Sequence, residues 1–217
     1  MRNFKKTLSF LLSTVIIVSS VAGVGTTVFA ATDEHTYKNF KYRILDDNTA
    51  EICGYTGKNA VVTVPDSIDS KPVTSIGRTA FYSGKIKEVT IPNTVKNIKW
   101  WAFYGCESLE KINLNFGLKT VGYGAFMNCK NLKSVSIPMS VTQICDDSFA
   151  VSCSTKKGVF DTYSKQTIST QQYSTDSLFT LEGYSGTVAE KYCNDNSLNF
   201  VSLGNVIYGD VNNNGTV

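Results

Sequence analysis

The last ten residues of the chain carry oxygen donors at the spacing of a calcium-binding loop. Position 1 of the loop is Asp210, and positions 3 and 5 are Asn212 and Asn214. Gly215 and Thr216 follow at positions 6 and 7, where such loops need a sharp turn and a backbone carbonyl. We therefore predict calcium ligands at these positions: Asp210, Asn212, Asn214 and Thr216. The alternative is a turn rich in Asn and Gly that holds no metal.

Catalytic chemistry has no comparable constellation in the sequence. A nucleophile needs a positioned base, and the one histidine, His35, falls in a start segment that we expect to be flexible. Carboxylates are scattered through turns and not opposed as in glycosidases, and Asp146 and Asp147 are better explained as caps of a turn. Gly122 and Gly124 lie in turns without a phosphate-binding fingerprint. We therefore predict that the chain is not an enzyme.

Two surfaces are candidates for ligand binding. Trp100 and Trp101 stand where nothing in the surrounding pattern requires tryptophan, and exposed aromatics stack on sugar rings or anchor protein partners. The alternative, which we favour, is that one or both cover a groove beside the core. The second surface is the polar face of predicted strands, represented by Glu88, Thr90, Lys111 and Asn113, with Ser134 and Ser136 in the next unit.

The N-terminal segment, residues 1–30, has the composition of a signal peptide. Basic residues from Arg2 to Lys6 precede an apolar run that reaches Val24, and Val-Phe-Ala ending at Ala30 offers small residues at the spacing of a cleavage site. The alternative is a retained membrane anchor. We expect cleavage and export, which predicts an extracellular or cell-surface protein.

Loss of the signal peptide removes the apparent basic charge of the chain. It takes away three basic residues and no acidic one, so the 21 Lys and Arg fall to 18 and equal the 18 Asp and Glu. The remaining sequence has no basic patch that would favour nucleic acid or an anionic membrane. It also has no second apolar segment long enough to span a bilayer.

Six cysteines follow the signal peptide, but their spacing does not predict a disulfide framework. There is no C-x-x-C pair, and with one histidine in the chain the usual zinc ligand sets are missing. Most of these cysteines are better explained as small buried hydrophobic residues. Whether Cys106 and Cys129 are bridged is left open by the sequence.

A repeat of about 23 residues positions all of these features. Phenylalanines recur at steps of 22, 23 and 23, and four further apolar columns recur at 23. The columns are Phe81, Phe103, Phe126 and Phe149; Ile86, Leu109 and Leu132; Val89, Ile112 and Val135; Ile91, Leu114 and Ile137; and Val95, Leu118 and Val141. One such unit buries too little apolar surface to fold alone, so units must stack and turn the columns into internal ladders.

Each unit combines a short strand with a helical turn. Residues 132–137 alternate apolar and polar side chains, which predicts a half-buried strand. The preceding Ala-Phe-x-x-Cys-x-x-Leu stretch has apolar spacing nearer three, which predicts a helical or 3₁₀ turn. Pro92 and Pro138 lack an amide donor and so end the strand ladder. The fold class that follows is a repeat solenoid with short parallel strands.

These units resemble the BspA-like leucine-rich repeats of bacterial surface proteins. The recurring core I-G-x-x-A-F-x-x-C-x-x-L-x-x-V-x-I-P is matched across residues 76–149, most closely from Val121 to Pro138. The resemblance is looser where Asn115 replaces the proline. It implies a leucine-rich repeat solenoid, capped at both ends, that binds a partner.

The flanking sequence also resembles the ends of that family. It implies a hairpin cap at 42–73, a terminal helix at 187–194 and a strand at 200–203. The segment at 154–175 is rich in Ser, Thr, Gln and Lys, which indicates a loop or an irregular unit. The predicted domains are a signal peptide at 1–30, a flexible start at 31–39, a capped repeat domain at 40–204 and an incomplete calcium-binding module at 205–217.

The tail resembles the start of a type I dockerin, the module that docks secreted proteins onto cohesins of a cellulosome scaffold. This resemblance covers residues 208–217, and the family more often has aspartate where Asn214 stands. Position 12 would be residue 221, and one carboxylate cannot hold calcium tightly. The resemblance implies calcium as cofactor and a cohesin as partner.

The leading hypothesis is a secreted, non-catalytic leucine-rich repeat protein that binds a protein or glycan and attaches to a cellulosome through its tail. One alternative is a cell-surface adhesin whose tail is only a turn. Another is the accessory region of a polysaccharide-degrading enzyme.

Overall fold

A computed structural model describes residues 33–149 and 179–205, and gives the backbone of four short strands between them. The predicted signal peptide lies outside the described residues. So does the predicted calcium loop, with its proposed ligands Asp210, Asn212, Asn214 and Thr216. The described residues form a solenoid of short parallel strands, which confirms the predicted fold class.

The N-terminal cap is an antiparallel sheet of three strands, β1 (His35–Tyr37), β2 (Phe40–Ile44) and β3 (Ala50–Tyr55). The expected flexible start at 31–39 is therefore wrong for β1, because its backbone pairs with β2 and the His35 ring lies 5.3 Å from that of Tyr42. Three further strands lead into the first repeat: β4 (Val61–Thr63), β5 (Ser67–Ile68) and β6 (Lys71–Ile76). β3 pairs with β6 in parallel, which joins the cap to the solenoid.

The repeats add strands in a regular alternation of three and two residues. In chain order these are β7 (Glu88–Thr90), β8 (Asn97–Ile98), β9 (Lys111–Asn113), β10 (Thr120–Val121), β11 (Ser134–Ser136) and β12 (Gln143–Ile144). The two-residue strands extend the sheet from β6, and Val121 lies between Ile98 and Ile144. β4, β7 and β9 form a second parallel ladder. From β6 in the first ladder and from β7 in the second, the register steps by 22 or 23 residues, as the sequence repeat does.

The segment between the two strands of each repeat forms successive turns. The amide of Ala80 bonds to the carbonyl of Gly77 and that of Tyr82 to Thr79, three residues back, as in 3₁₀ geometry. Pro92 and Pro138 each begin a turn, because their carbonyls accept the amides of the valines three residues later. These contacts confirm the predicted turns and the end of each strand at proline.

An irregular segment interrupts the repeats before the C-terminal cap. Four backbone strands form two antiparallel pairs: β13 (Ser152–Thr155) with β16 (Gln171–Ser174), and β14 (Val159–Asp161) with β15 (Gln166–Ile168). The parallel ladder then resumes with β17 (Thr180–Ser185) beside β11. Helix α1 (Val188–Asn196) and strand β18 (Asn199–Asn205) close the described domain. The helix and strand expected at this end are confirmed.

The phenylalanine column forms a stack through the centre of the core. Ring centroids of Phe81, Phe103, Phe126 and Phe149 follow one another at 4.7, 5.2 and 5.2 Å, each pair within 9° of parallel. This spacing is close to the distance between hydrogen-bonded strands, so the backbone repeat sets the ring separation. The other predicted columns are buried as well, except Leu114, which is half-buried. The predicted ladders are therefore confirmed.

Free thiols in the part of the chain that the structure describes include Cys53, Cys106, Cys129 and Cys193. Cys106 and Cys129 are buried, and their thiols donate to the carbonyls of Phe81 and Phe103 at 2.9 and 3.2 Å. Burial raises the pKa of Cys106 to about 12, so its thiol stays neutral at physiological pH. These two residues act as small core side chains with a weak donor, as the sequence predicts.

Candidate functional site

The tryptophan pair lies half-buried on the turn of the second repeat. The Arg78 guanidinium lies 4.8 Å from the centre of the Trp101 ring, and the Tyr123 ring meets it edge-on at 6.2 Å. Trp101 also covers Gly124 so closely that a Cβ there would lie 2.7 Å from the indole. Trp101 thus packs across the turns of its neighbouring repeats, and a ligand for Trp100 and Trp101 stays a prediction.

The equivalent turn of the fourth repeat contains Asp146 and Asp147, for which the sequence predicts a structural role. Trp101, Gly124 and Asp147 occupy equivalent positions and share a left-handed φ of 54°, 57° and 56°. Asparagine, aspartate and glycine adopt this conformation readily, whereas a bulky residue is strained in it. Burial and the neighbouring Asp146 raise the pKa of Asp147. Asp147 therefore belongs to the turn of its repeat.

The polar strand face brings the four predicted residues into one network. The Glu88 carboxylate accepts hydrogen bonds from Lys111 at 3.1 Å and from the Asn113 amide at 3.0 Å. The same amide donates to the Thr90 hydroxyl at 3.2 Å. The hydrogen bonds from Lys111 and Asn113 hold the pKa of Glu88 below its ordinary value. The strand face therefore presents a fixed pattern of charge and hydrogen-bonding groups.

Groups that could do chemistry are dispersed in the part of the chain that the structure describes. His35 is exposed on β1 and its ring faces Tyr42. Across these residues, histidines, cysteines and carboxylates form no group of three that could hold a metal ion. Helix α1 has nine residues and is too short to cross a bilayer. Among the described residues, no helix is long and apolar enough to span a membrane.

A cleft of about 350 Å³ opens where the N-terminal cap meets the first repeat. One wall is the end of β3 with residues 54–59, and the other is the turn at residues 79–86. Tyr55 forms part of the floor, with its ring 5.5 Å from Phe81 at the end of the phenylalanine stack. The cleft therefore lies between the cap and the first repeat, beside Phe81 of the phenylalanine stack.

An exposed aromatic platform borders this cleft. Tyr82 is 57% exposed and stacks on Tyr104 at 5.3 Å with the rings 7° from parallel. The Tyr104 hydroxyl accepts a hydrogen bond from the Asn128 amide at 3.2 Å, which ties the platform to the third repeat. An exposed ring held this way offers apolar area without a large ordering cost on binding.

The rim of the cleft is basic. Lys41, Lys58 and Lys85 line it with a single carboxylate, Glu34, which lies 3.7 Å from the Lys41 ammonium. Lys58 and Lys85 form no ion pair with any residue that the structure describes. Burial, followed by the charge of Glu51, raises the pKa of the Cys53 thiol on the wall to about 11. The cleft thus combines neutral walls with an excess of positive charge at its mouth.

Sequence reasoning missed this cleft, although one signal for it was present. Tyr82 and Tyr104 follow Phe81 and Phe103, so two adjacent repeats carry tyrosine directly after the core phenylalanine. That column indicates a surface ladder beside the buried one. The lysines gave no signal, because they come from the cap hairpin, a cap loop and a repeat turn that only folding brings together.

Several solved structures are similar to this chain. A leucine-rich repeat protein from Bacteroides capillosus is 30% identical with a TM-score of 0.50, over 52% of this chain and 88% of its own. A leucine-rich repeat protein from T. pallidum is 29% identical with a TM-score of 0.46, over 54% and 66%. A leucine-rich cell surface protein from Faecalibacterium prausnitzii is 25% identical with a TM-score of 0.47, over 71% and 46%. The chain thus spans less than two thirds of the latter two proteins.

No curated protein matches the chain by sequence. A model of the BspA type leucine-rich repeat region matches six copies across residues 62–199, which is more than half of the chain. The matched region runs from β4 to the start of β18 and includes both strand ladders and the phenylalanine stack. The chain therefore belongs to the BspA type leucine-rich repeat family.

Proposed function

We propose that this chain is an extracellular, non-catalytic module that binds a protein partner along its polar strand face. The observation that supports this function is the network of Glu88, Thr90, Lys111 and Asn113. These groups project from strands whose other side is anchored in the core ladders, so their positions are set before a partner arrives. Such preorganisation lowers the entropic cost of binding, and solenoids commonly bind ligands on extended repeat surfaces. The export signal predicted at residues 1–30 supports the location.

Exchanging the charges of Glu88 and Lys111 tests the strand face. The double variant Glu88→Lys, Lys111→Glu keeps the ion pair and the net charge, so we expect little change in its stability. It reverses the pattern that a partner meets, so we expect recovery of that partner to fall about ten-fold. The measurement is cross-linking of the protein to the surface of the producing bacterium, followed by quantitative mass spectrometry.

The matched control is the same exchange at Lys87 and Glu110. This surface ion pair spans 3.0 Å between exposed side chains next to the strand ladder. Lys87→Glu with Glu110→Lys should leave partner recovery unchanged. Equal recovery with both exchanged proteins and the natural chain would remove the strand face from the proposal.

The tail supports a second, separate element of the function, attachment to a cohesin-bearing scaffold. Asp210, Asn212, Asn214 and Thr216 offer oxygen donors that suit calcium, and Asp210 is the one carboxylate among them. This donor set predicts weak binding unless further ligands complete it. Without attachment, the competing functions are a surface adhesin and the accessory region of a polysaccharide-degrading enzyme.

Calcium-dependent binding to cohesins checks this element. The full open reading frame should bind an immobilised type I cohesin in calcium and release it in chelator, because binding through the proposed loop would depend on the ion. Asp210→Ala should abolish the calcium response, since it removes the carboxylate. The strand-face variant serves as a control that should bind cohesin normally. No cohesin binding in calcium would leave the repeat domain as the sole binding element.

A further inference from the structure

The N-terminal cleft lies apart from the strand face, with a separate set of lining residues. We propose that it takes an acidic peptide segment of a partner protein, with an aromatic or aliphatic side chain inserted in the cleft and carboxylates on its rim. The inference rests on the proposed function in one respect, that the partner is a protein. Its residues are separate from those of the strand network, so each site can be changed alone.

Shape indicates how much of a ligand the cleft can enclose. Its volume of about 350 Å³ is near the lower end of ligand pockets, so it suits one side chain with its adjoining backbone. The floor and one border are aromatic, because Tyr55 meets Phe81 at 5.5 Å and Tyr82 lies exposed beside them. Desolvated aromatic pockets of this kind hold the anchor residues of protein interfaces.

Charge indicates what surrounds the anchor. Lys41, Lys58 and Lys85 line the cleft against one carboxylate, Glu34. The Glu34 carboxylate lies 3.7 Å from the Lys41 ammonium, and both side chains are about half exposed. Lys41 is therefore already paired with a carboxylate of the chain itself. Incoming carboxylates can use Lys58 and Lys85, which have no ion pair with the described residues. The cleft is thus complementary to a segment that is both acidic and apolar.

The cleft lining favours a peptide over a nucleic acid. The basic groups of the lining are lysines, with no arginine among them. The chain without residues 1–30 carries equal numbers of basic and acidic residues. Extended phosphate recognition usually needs a broad basic surface and bidentate arginine contacts. A short cleft with three separated ammonium groups instead suits a few carboxylates spaced along a peptide.

Gly57 gives a way to change the shape of the cleft without changing its charge. A Cβ at this position would lie 2.3 Å from the Tyr55 hydroxyl oxygen, so Gly57→Ala must displace the tip of that ring. The displaced atoms belong to the end of a side chain, so the backbone can keep its strand pairing. This variant therefore changes the shape of the proposed site by a local movement.

The test measures binding of a random copolymer of glutamate and tyrosine to the chain without residues 1–30. Polyglutamate is the comparison probe. We expect the copolymer to bind more tightly than polyglutamate, and binding to weaken with salt. Lys58→Glu with Lys85→Glu should weaken it at least about ten-fold, because the rim then repels carboxylates. Gly57→Ala should also weaken it. The strand-face exchange should leave it unchanged, which separates this site from the proposed function.

The charge-matched control is Lys96→Glu with Lys119→Glu, two exposed lysines outside the cleft. It should stay within about two-fold of the natural chain. Equal losses in both double variants would show general charge attraction and overturn the proposal. Absence of copolymer binding, or loss of binding in the strand-face exchange, would also overturn it. Thermal unfolding of each variant confirms that the fold is retained.

Discussion

Replacing Phe103 by alanine is expected to lower the free energy of unfolding by about 3–5 kcal/mol. Phe103 is fully buried and its ring stacks between Phe81 at 4.7 Å and Phe126 at 5.2 Å. Removing it leaves a cavity in the middle of the stack and takes a contact from each neighbouring repeat. Because each repeat is stabilised mainly by its neighbours, one substitution weakens two interfaces.

Urea denaturation followed by tryptophan fluorescence and circular dichroism measures this loss. Both tryptophans, Trp100 and Trp101, lie in the same repeat as Phe103, so fluorescence reports on the altered unit. Circular dichroism reports on the whole solenoid, and separate transitions would show that the repeats no longer unfold together.

Phe116→Ala is the matched control for Phe103→Ala. The same atoms are removed, but Phe116 is 42% exposed, so we expect a loss below about 1 kcal/mol. A similar loss at both positions would contradict the prediction, because a phenylalanine buried in the stack would then contribute no more than an exposed one.

Removing the cations around Glu51 is expected to cost about 3–5 kcal/mol as well. Glu51 is 1% exposed on β3, with Oε1 2.5 Å from the Arg43 guanidinium and Oε2 in contact with the Lys99 ammonium. Both cations reach partly into solvent, whereas the carboxylate does not. Arg43→Met with Lys99→Met therefore leaves a buried charge without a partner, the costly direction in which to break such a group.

Two further variants decide whether the buried carboxylate is the cause. Adding Glu51→Leu to the double variant should recover most of the lost stability, because apolar residues can replace a buried ion group. Lys87→Met with Lys130→Met, which breaks two exposed ion pairs, should cost less than about 2 kcal/mol in total. If the triple variant is as unstable as the double one, the lysine and arginine act through packing and not through charge.

The repeat explains why much of this fold follows from sequence. The phenylalanine column and the pairing of β7 with β9 are contacts between residues that the period makes equivalent. The turn that begins at Pro92 recurs at Asn115 and Pro138, one period apart each time. A period of 23 residues places each residue beside its counterpart in the next turn, so a column of equivalent residues predicts which side chains are in contact.

The Glu51 group shows where that logic stops. Lys99 occupies the position held by Gly77 and Gly122 in other repeats, a departure visible in the sequence. Its partner lies outside the repeat, on a cap strand that pairs with β6 beside β8. A Cβ at Gly77 would lie 3.0 Å from the Glu51 carboxylate, so glycine there leaves room for the buried group. No period relates these residues, and only the pairing of β3 brings them together.

The contacts of His35 and those of the cleft also fall outside the repeat, so the period does not predict them. The sequence around His35 lacks an apolar pattern, and its strand forms because the backbone of β2 offers an open edge. The lysines of the cleft come from β2, a cap loop and a repeat turn, which are separate in sequence.

By itself the sequence determined the solenoid, its register and its core ladders. Those contacts recur in each repeat, so the residues that make them appear several times along the chain at a fixed spacing. Only the tertiary structure decided the buried Glu51 group, the packing of Trp101 and the cleft beside Tyr82. Each of these occurs once, where a cap or a single altered repeat meets its neighbours. The physical reason is that a repeated contact is encoded by its period, whereas a unique contact depends on the position that the folded backbone gives to each partner.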